Sequence, residues 1–335
     1  MKITIESSRL VKPNYNNGNA PSTNHHFRLS AFDKITYNIH FTNIYTFNPP
    51  TLISNIAIEE GLSKVLAEYR EFAGRLGEDP DNGNSVIFLN DQGVRFIETT
   101  VDSKLEHVLP SKPTKEIESM YPSLYNVGEV AQVQLTRFTC GSLVLAFTSH
   151  HFVADGHSTS NFLVAWGLAT RGIAIDPIPL RTRDILFKPR EPPVIQYDHH
   201  KTEYMKNQCT IKTCGNKSNG EEEEIVTHKV HFTINFINKL RAKASAGVPK
   251  PYSRFATTLG HLWRVITKAR GLDGDETTQI RISVNGRMRM DPKVPNKYYG
   301  NLVLWAFPRS KVRDLINRPL SYAVELIHDA VAKLL

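Results

Sequence analysis

Five apolar residues, Leu143 to Phe147, run directly into TSHHFVADGHS, the stretch from Thr148 to Ser158. No other feature constrains the fold as tightly. An unbroken apolar run of β-formers is the pattern of a strand buried on both faces, so it belongs inside a sheet. Beyond it, Gly156 permits a turn, Ser158 can cap a helix, and Phe162, Trp166 and Ala169 recur at helical spacing until Arg171-Gly172 closes the segment. Strand, turn and helix in that order put His151 at a strand end, facing an opening.

A histidine there titrates near the working pH and can take a proton from an attacking hydroxyl or amine. A lone histidine is more often a buried group satisfied by a backbone carbonyl. Asp155 and Gly156 tip the reading toward a general base, because an aspartate at a buried turn needs a partner. It either orients the histidine or holds the loop by pairing with an arginine elsewhere. His150 reads as a packing residue and His157 as a loop or helix-start residue.

Ile3 and Ile5 alternate with polar residues as a first strand, residues 13–24 read as a loop, and Tyr37 to Tyr45 reads as a second strand. A helix is expected from Thr51 to Leu76 on the stripe Ile58, Leu62, Val65, Leu66 and Tyr69, ended by Gly74. Residues 79–84 form a turn before a strand at Val86 to Leu89, and Ala131, Val133 and Leu135 alternate as a half-buried strand. This is a mixed α/β domain closing near Pro179. A proline-punctuated crossover from Arg183 to Pro193 and a polar stretch from Lys201 to Glu224 follow, giving a division into 1–182, a linker 183–225, and 226–335. In the last part, Phe232, Phe236, Ile237 and Leu240 mark a short helix, and a second runs from about Thr258 to Arg270. Ile280, Ile282 and Val284 form a strand delivering Asn285-Gly286-Arg287.

Charge and cysteine content narrow the function classes. The net charge of +8 arises from Lys and Arg spread along the chain, where a nucleic-acid footprint would be clustered, so no nucleic-acid partner is expected. No apolar run approaches membrane-spanning length and no targeting segment is visible, which predicts a cytoplasmic protein without a membrane partner. Cys140, Cys209 and Cys214 supply neither a disulfide framework nor a four-ligand metal site, and no metal is expected. Cys140 reads as core. Glu221 to Glu224 reads as solvated surface.

HHFVADG resembles the HxxxD-G motif of the plant BAHD acyl-CoA-dependent acyltransferases. MKITIESSRLVKP, LSAFD at Leu29 to Asp33, AGRL at Ala73 to Leu76, LTRFTCGS at Leu135 to Ser142, HLWR at His261 to Arg264, VNGRMR at Val284 to Arg289 and YYGN at Tyr298 to Asn301 occur in family order. The resemblance implies a two-domain α/β, chloramphenicol-acetyltransferase-like fold with mixed sheets flanked by helices. It also implies His151 as the catalytic base, Asp155 paired with Arg287 as a structural tie, and a monomer. No cofactor is implied beyond acyl-CoA as co-substrate. Ser253, Arg254, Thr257 and Thr258 of SRFATT would lie along the CoA channel; for Thr258 helix capping competes, and Arg264 reads as structural. Arg289 shares the work of Arg287 or faces solvent.

The opening, LTRFTCGS and GNLVLWAFP at Gly300 to Pro308 look most like the grass hydroxycinnamoyltransferases that acylate amines, particularly the agmatine coumaroyltransferase group. The expected reaction is transfer of a coumaroyl-type group to an amine acceptor such as agmatine. Tryptamine, putrescine or an alcohol such as shikimate are alternative acceptors, and a carrier-bound donor is ranked last. A helix from Pro319 is expected to be still running at Leu335, and a DFGWG-like motif is absent. The second domain is therefore expected to be truncated, which leaves an inactive truncated paralogue as the remaining reading.

Overall fold

The computed structural model describes residues 2–15, 18, 20–108, 115–124, 127–187, 192, 194 and 229–334. The polar stretch 201–224, with Cys209, Cys214 and the four glutamates, lies outside the described residues. Two compact units form, Met1–Lys229 with Lys297–Asn301, and Val230–Asn296 with Leu302–Leu335.

The first unit is built on strands β1 (Ile3–Val11), β2 (His26–Arg28), β3 (His40–Phe47), β4 (Arg75–Glu78), β5 (Ser85–Phe88), β6 (Val94–Val101), β7 (Ala131–Phe138) and β8 (Leu143–His150). Five of them make a mixed sheet in the order β1-β6-β7-β8-β3, with β6 and β7 parallel and the other neighbours antiparallel. The expected strand from Tyr37 starts three residues later, at His40. β2, β5 and β4 form a separate small sheet.

β8 is buried on both faces, as its composition predicts. Leu143 and Phe147 join the main core with α2 (Asn55–Glu68) and α5 (Gly156–Thr170), while Val144 faces a second cluster with Val101, Met120 and Phe138. β7 departs from the half-buried expectation. Its polar residues Gln132, Gln134 and Thr136 are buried too. They are tolerated because they are hydrogen-bonded: Gln134 donates to the Ser119 carbonyl at 2.9 Å and Thr99 donates to the Thr136 hydroxyl at 2.8 Å.

The helix expected from Thr51 to Leu76 is also shorter. α2 stops at Glu68, a 3-10 turn spans Arg70–Ala73, and Gly74 leads into β4, so residues 79–84 connect two strands. α2 and α5 approach closely at Gly61, where a Cβ would lie 2.7 Å from Thr170 Cα. Trp166 of α5 donates its indole N–H to the Ile58 carbonyl at 2.9 Å. Tyr299, from the returning segment Lys297–Asn301, packs edge-on against Tyr69 and Phe72 in this core.

Short helices α1 (Ala31–Lys34), α3 (Leu105–Val108), α4 (Lys115–Glu118) and α6 (Arg183–Leu186) complete the unit. α6 corrects the extended reading of the crossover at its start, and Arg183 is 3% exposed.

The second unit packs α7 (Ile234–Ala244), α8 (Arg254–Ala269) and α10 (Leu320–Ala332) around Trp263, Leu315, Val324 and Ile327. β9 (Thr277–Gln279) pairs with β12 (Arg309–Lys311), and β10 (Ile282–Asn285) with β11 (Val303–Ala306). Trp263 donates to the Thr278 hydroxyl at 3.1 Å. Arg264 donates to the Leu315 and Ile316 carbonyls of α9 (Val312–Asn317), which gives it the structural role expected. α10 ends at Ala332, with Lys333 as its C-cap; Leu335, where the helix is expected to be still running, lies outside the described residues.

Candidate active site

β3 and β8 pair with His40 opposite His150, and the next residue, His151, donates its backbone N–H to the Ile39 carbonyl at 2.9 Å. The ladder thus holds the backbone of the turn in which His151 sits. Asp155, 2% exposed, is the N-cap of α5; its Oδ1 accepts the Ser158 N–H at 2.8 Å. Ser158 does not cap the helix. Gly156 is the first helical residue, and a Cβ there meets nothing within 4 Å, so the turn needs no glycine on steric grounds. His157 stands in the first helical turn.

Ser158 is turned to another use. Its hydroxyl donates to the Gly300 carbonyl at 2.9 Å and accepts the Gly300 N–H at 3.1 Å, which anchors the returning segment beside the histidine turn. Asn301 then meets His151: its Oδ1 lies 3.2 Å from Nδ1 of the imidazole. The amide of Asn301 has one orientation that satisfies its surroundings. Its Nδ2 donates to Asp33 Oδ1 at 2.9 Å, the His151 carbonyl at 2.9 Å and the Phe152 carbonyl at 3.3 Å. Oδ1 is left to face the histidine, so Nδ1 must carry the hydrogen. Nε2 then keeps its lone pair, and among the described residues it takes part in no hydrogen bond.

Behind Asn301 lies a buried ion pair. Asp33 is fully buried and binds Arg183 Nη1 at 2.5 Å, while Arg183 Nη2 donates to the Tyr299 carbonyl at 2.9 Å. The guanidinium sits 3.8 Å from the centroid of the Phe27 ring. Ser30 and Asp33 also form a capping box at α1. Sequence pattern alone assigns no role to Asp33, Arg183 or Asn301, and to Ser158 only that of a helix cap. LSAFD and YYGN mark their neighbourhoods, and Ser30-x-x-Asp33 is a legible capping signal; nothing local reveals that the aspartate reaches residue 301.

His150 packs, as expected. It is 4% exposed and its Nε2 donates to Asn38 Oδ1 at 2.9 Å, while its Nδ1 accepts the Phe152 N–H at 3.2 Å. Burial, with His40 and His151 nearby, pushes its pKa down to about 4, so it stays neutral beside the base. Cys140 is only half-buried, against the second cluster.

In the second unit, Arg287 is fully buried just past β10, and its N–H and Nη1 reach Asn285 Oδ1 at 3.1 and 3.2 Å. Arg289 Nη1 reaches the Val331 carbonyl at 3.5 Å. Ser253 is the N-cap of α8, its hydroxyl accepting the Ala256 N–H at 3.1 Å. The capping role expected of Thr258 is therefore filled five residues earlier, because the helix begins at Arg254. Arg254 is exposed, Thr257 is buried with its hydroxyl donating to the Ser253 carbonyl, and Thr258 is partly buried. A groove of about 440 Å³ in this unit is lined by Ser253, Asn285, Arg289 and His328. Among the described residues no group of three His, Cys, Asp or Glu could hold a metal ion.

Mixed sheets flanked by helices, with a histidine just past an interior strand, fit the expected two-domain chloramphenicol-acetyltransferase-like fold. The model of the Transferase family matches residues 1–335, and the chain belongs to that family, the BAHD acyltransferases. It is 50% identical over 335 residues to putrescine hydroxycinnamoyltransferase 3 of Oryza sativa subsp. japonica, covering 99% of this chain and 76% of that protein. It is 47% identical over 338 residues to agmatine coumaroyltransferase-1 of Hordeum vulgare, covering 100% of this chain and 76% of the relative. The crystal structure of vinorine synthase superposes with a TM-score of 0.74 at 22% identity, covering 98% of this chain and 76% of that one, and shows the shared fold. Nothing in these relatives favours the reading as an inactive remnant.

Proposed function

We propose that this chain transfers a hydroxycinnamoyl group from its CoA thioester to a small aliphatic amine of the agmatine or putrescine type, forming an amide. The observation that carries the reading is the commitment of His151 Nδ1 to Asn301, which leaves Nε2 as a lone-pair base on a family scaffold half identical to a putrescine acylator. Nε2 takes a proton from the attacking amine as the C–N bond forms at the thioester carbonyl. The C–S bond then breaks and the proton passes from the imidazolium to the departing CoA sulfur. The chemistry needs no covalent enzyme intermediate.

Ser253, Arg254, Thr257 and Thr258 are assigned to the CoA side. Support comes from Ser253 in the groove of the second unit and from the exposed guanidinium of Arg254; Thr257 has the least support, because its hydroxyl is already engaged. Pairing of Asp155 with Arg287 is proposed because both charges are buried. The enzyme is proposed to be a cytoplasmic monomer without a membrane or nucleic-acid partner. No helix among the described residues is long and apolar enough to cross a membrane, and the positive charge is dispersed.

The purified chain and its His151→Ala variant, given coumaroyl-CoA with a panel of amines and alcohols and read by mass spectrometry, test the assignment. Amide formed by the wild type alone is the expected result. Ready esterification of shikimate with the amines untouched would overturn it.

A further inference from the structure

Among the described residues, every hydrogen-bond partner of the Asp33 carboxylate is a donor. Oδ2 receives the Ser30 N–H and hydroxyl, each at 2.7 Å, and Arg183 Nη1 at 2.5 Å. Oδ1 receives the backbone N–H of Asn301 at 3.0 Å and its Nδ2 at 2.9 Å. A carboxylate accepts and cannot donate, so Asn301 must present its amino group to it and its carbonyl oxygen to His151. We infer that Asp33, paired with Arg183, is a positioning residue for the reaction: through Asn301 it fixes His151 as the Nδ1–H tautomer, with Nε2 open to take a proton.

The geometry supports each link. Asp33 and Asn301 are fully buried, so water does not compete for these bonds. Arg183 neutralises the carboxylate and is itself held by the Tyr299 carbonyl and the Phe27 ring. The His151 and Phe152 carbonyls accept from the same Asn301 amino group, and so oppose a turn of the amide. Asp33 lies far from the histidine in sequence and touches Asn301, not the imidazole. Its charge sets which imidazole nitrogen is the base.

The inference rests on His151 acting as the base, but the tautomer is a property of the resting protein and can be read without turnover. The full chain, labelled with 15N-histidine, is examined by two-bond 1H–15N correlation at alkaline pH, and the resonance is identified by its loss in His151→Ala. The Nδ1–H pattern is expected in the wild type. Asp33→Asn sets an amino group among donors, and a turned Asn301 amide relieves that contact. The tautomer population should then shift toward Nε2–H, and kcat should fall by about 100-fold or more, while KM for the acyl-CoA stays within about 3-fold. Nε2–H in the wild type overturns the inference. So does a folded Asp33→Asn protein that keeps both the Nδ1–H pattern and its kcat. Should Asp33→Asn fail to fold, Asn301→Ala removes the acceptor and must also raise the Nε2–H fraction; an unchanged pattern refutes the relay. A wild type that acylates no acceptor counts against the proposed function, whereas the tautomer alone decides the positioning.

Discussion

Gly300 is the residue on which the arrangement around His151 can be tested most sharply. Its φ is +135°, a conformation that L side chains rarely adopt, and a Cβ built there would lie 2.9 Å from Arg183 Cζ and closer still to Nη2. A long side chain usually swings away from such a contact. This one is pinned by Asp33, the Tyr299 carbonyl and the Phe27 ring, so movement breaks a buried ion pair. For Gly300→Ala the backbone strain costs about 1–3 kcal/mol. Weakening the buried pair adds up to about 3–5 kcal/mol, the cost of losing one partner outright. A loss of at least about 3 kcal/mol is therefore expected, a large part of a typical stability of about 5–15 kcal/mol. Urea unfolding followed by tryptophan fluorescence and circular dichroism reads it directly. Gly156→Ala is the control, since nothing lies within 4 Å of its Cβ and its φ is not among the positive values. That change should leave stability within about 1 kcal/mol. Gly300→Ala unfolding at the wild-type urea midpoint would refute the argument that Arg183 is pinned.

Two further outcomes follow from the same region. Asp155→Ala should lose about 1 kcal/mol if the carboxylate only caps α5, and about 4 kcal/mol or more if it also partners a buried arginine; equal urea midpoints would remove both roles. The pKa of His150 is about 4 in the folded chain against 6.5 for the free side chain. The unfolded chain therefore takes up a proton first as pH falls, and stability is lost between about pH 6.5 and pH 4. Near pH 4 the loss reaches about 3 kcal/mol, since each pH unit across that interval costs roughly 1.4 kcal/mol. His150→Gln, which keeps a donor for Asn38, should flatten the wild-type slope over that window in urea melts, and an identical slope would show that His150 is not the group titrating.

The parts of this site that follow from local pattern were legible. The run Leu143–Phe147 predicts β8, and the 3.6-residue recurrence of Phe162, Trp166 and Ala169 predicts α5, so the place of His151 follows from sequence alone. The local errors have local causes. Ser158 and Asp155 are both good cap residues three apart, and the structure uses the aspartate as cap and frees the serine to hold Gly300. The helical stripe of α2 runs on into buried Phe72 and Ala73, which apolar periodicity cannot distinguish from more helix. In β7, alternating glutamines read as a wet face, but segment 119–123 supplies their partners. Asp33, Arg183 and Asn301 were not legible, because their bonds span 150 and 268 residues of chain.

That difference bears on why a buried ion pair stands behind the histidine at all. A charged pair of this kind is seldom more stable than well-packed apolar residues of the same volume, because desolvation offsets most of its Coulombic gain. The first unit already has a dense aromatic core in Tyr69, Phe72, Phe147, Phe162 and Tyr299. Stability alone thus does not account for placing Asp33 and Arg183 beside it. Orientation does. An apolar side chain at position 33 could fill the space, but it could not tell the two ends of the Asn301 amide apart. A carboxylate distinguishes them by accepting only, and the guanidinium supplies its counter-charge in a buried place. The histidine turn is local in sequence, while the proton it carries is assigned by residues at the opposite ends of the first unit's chain.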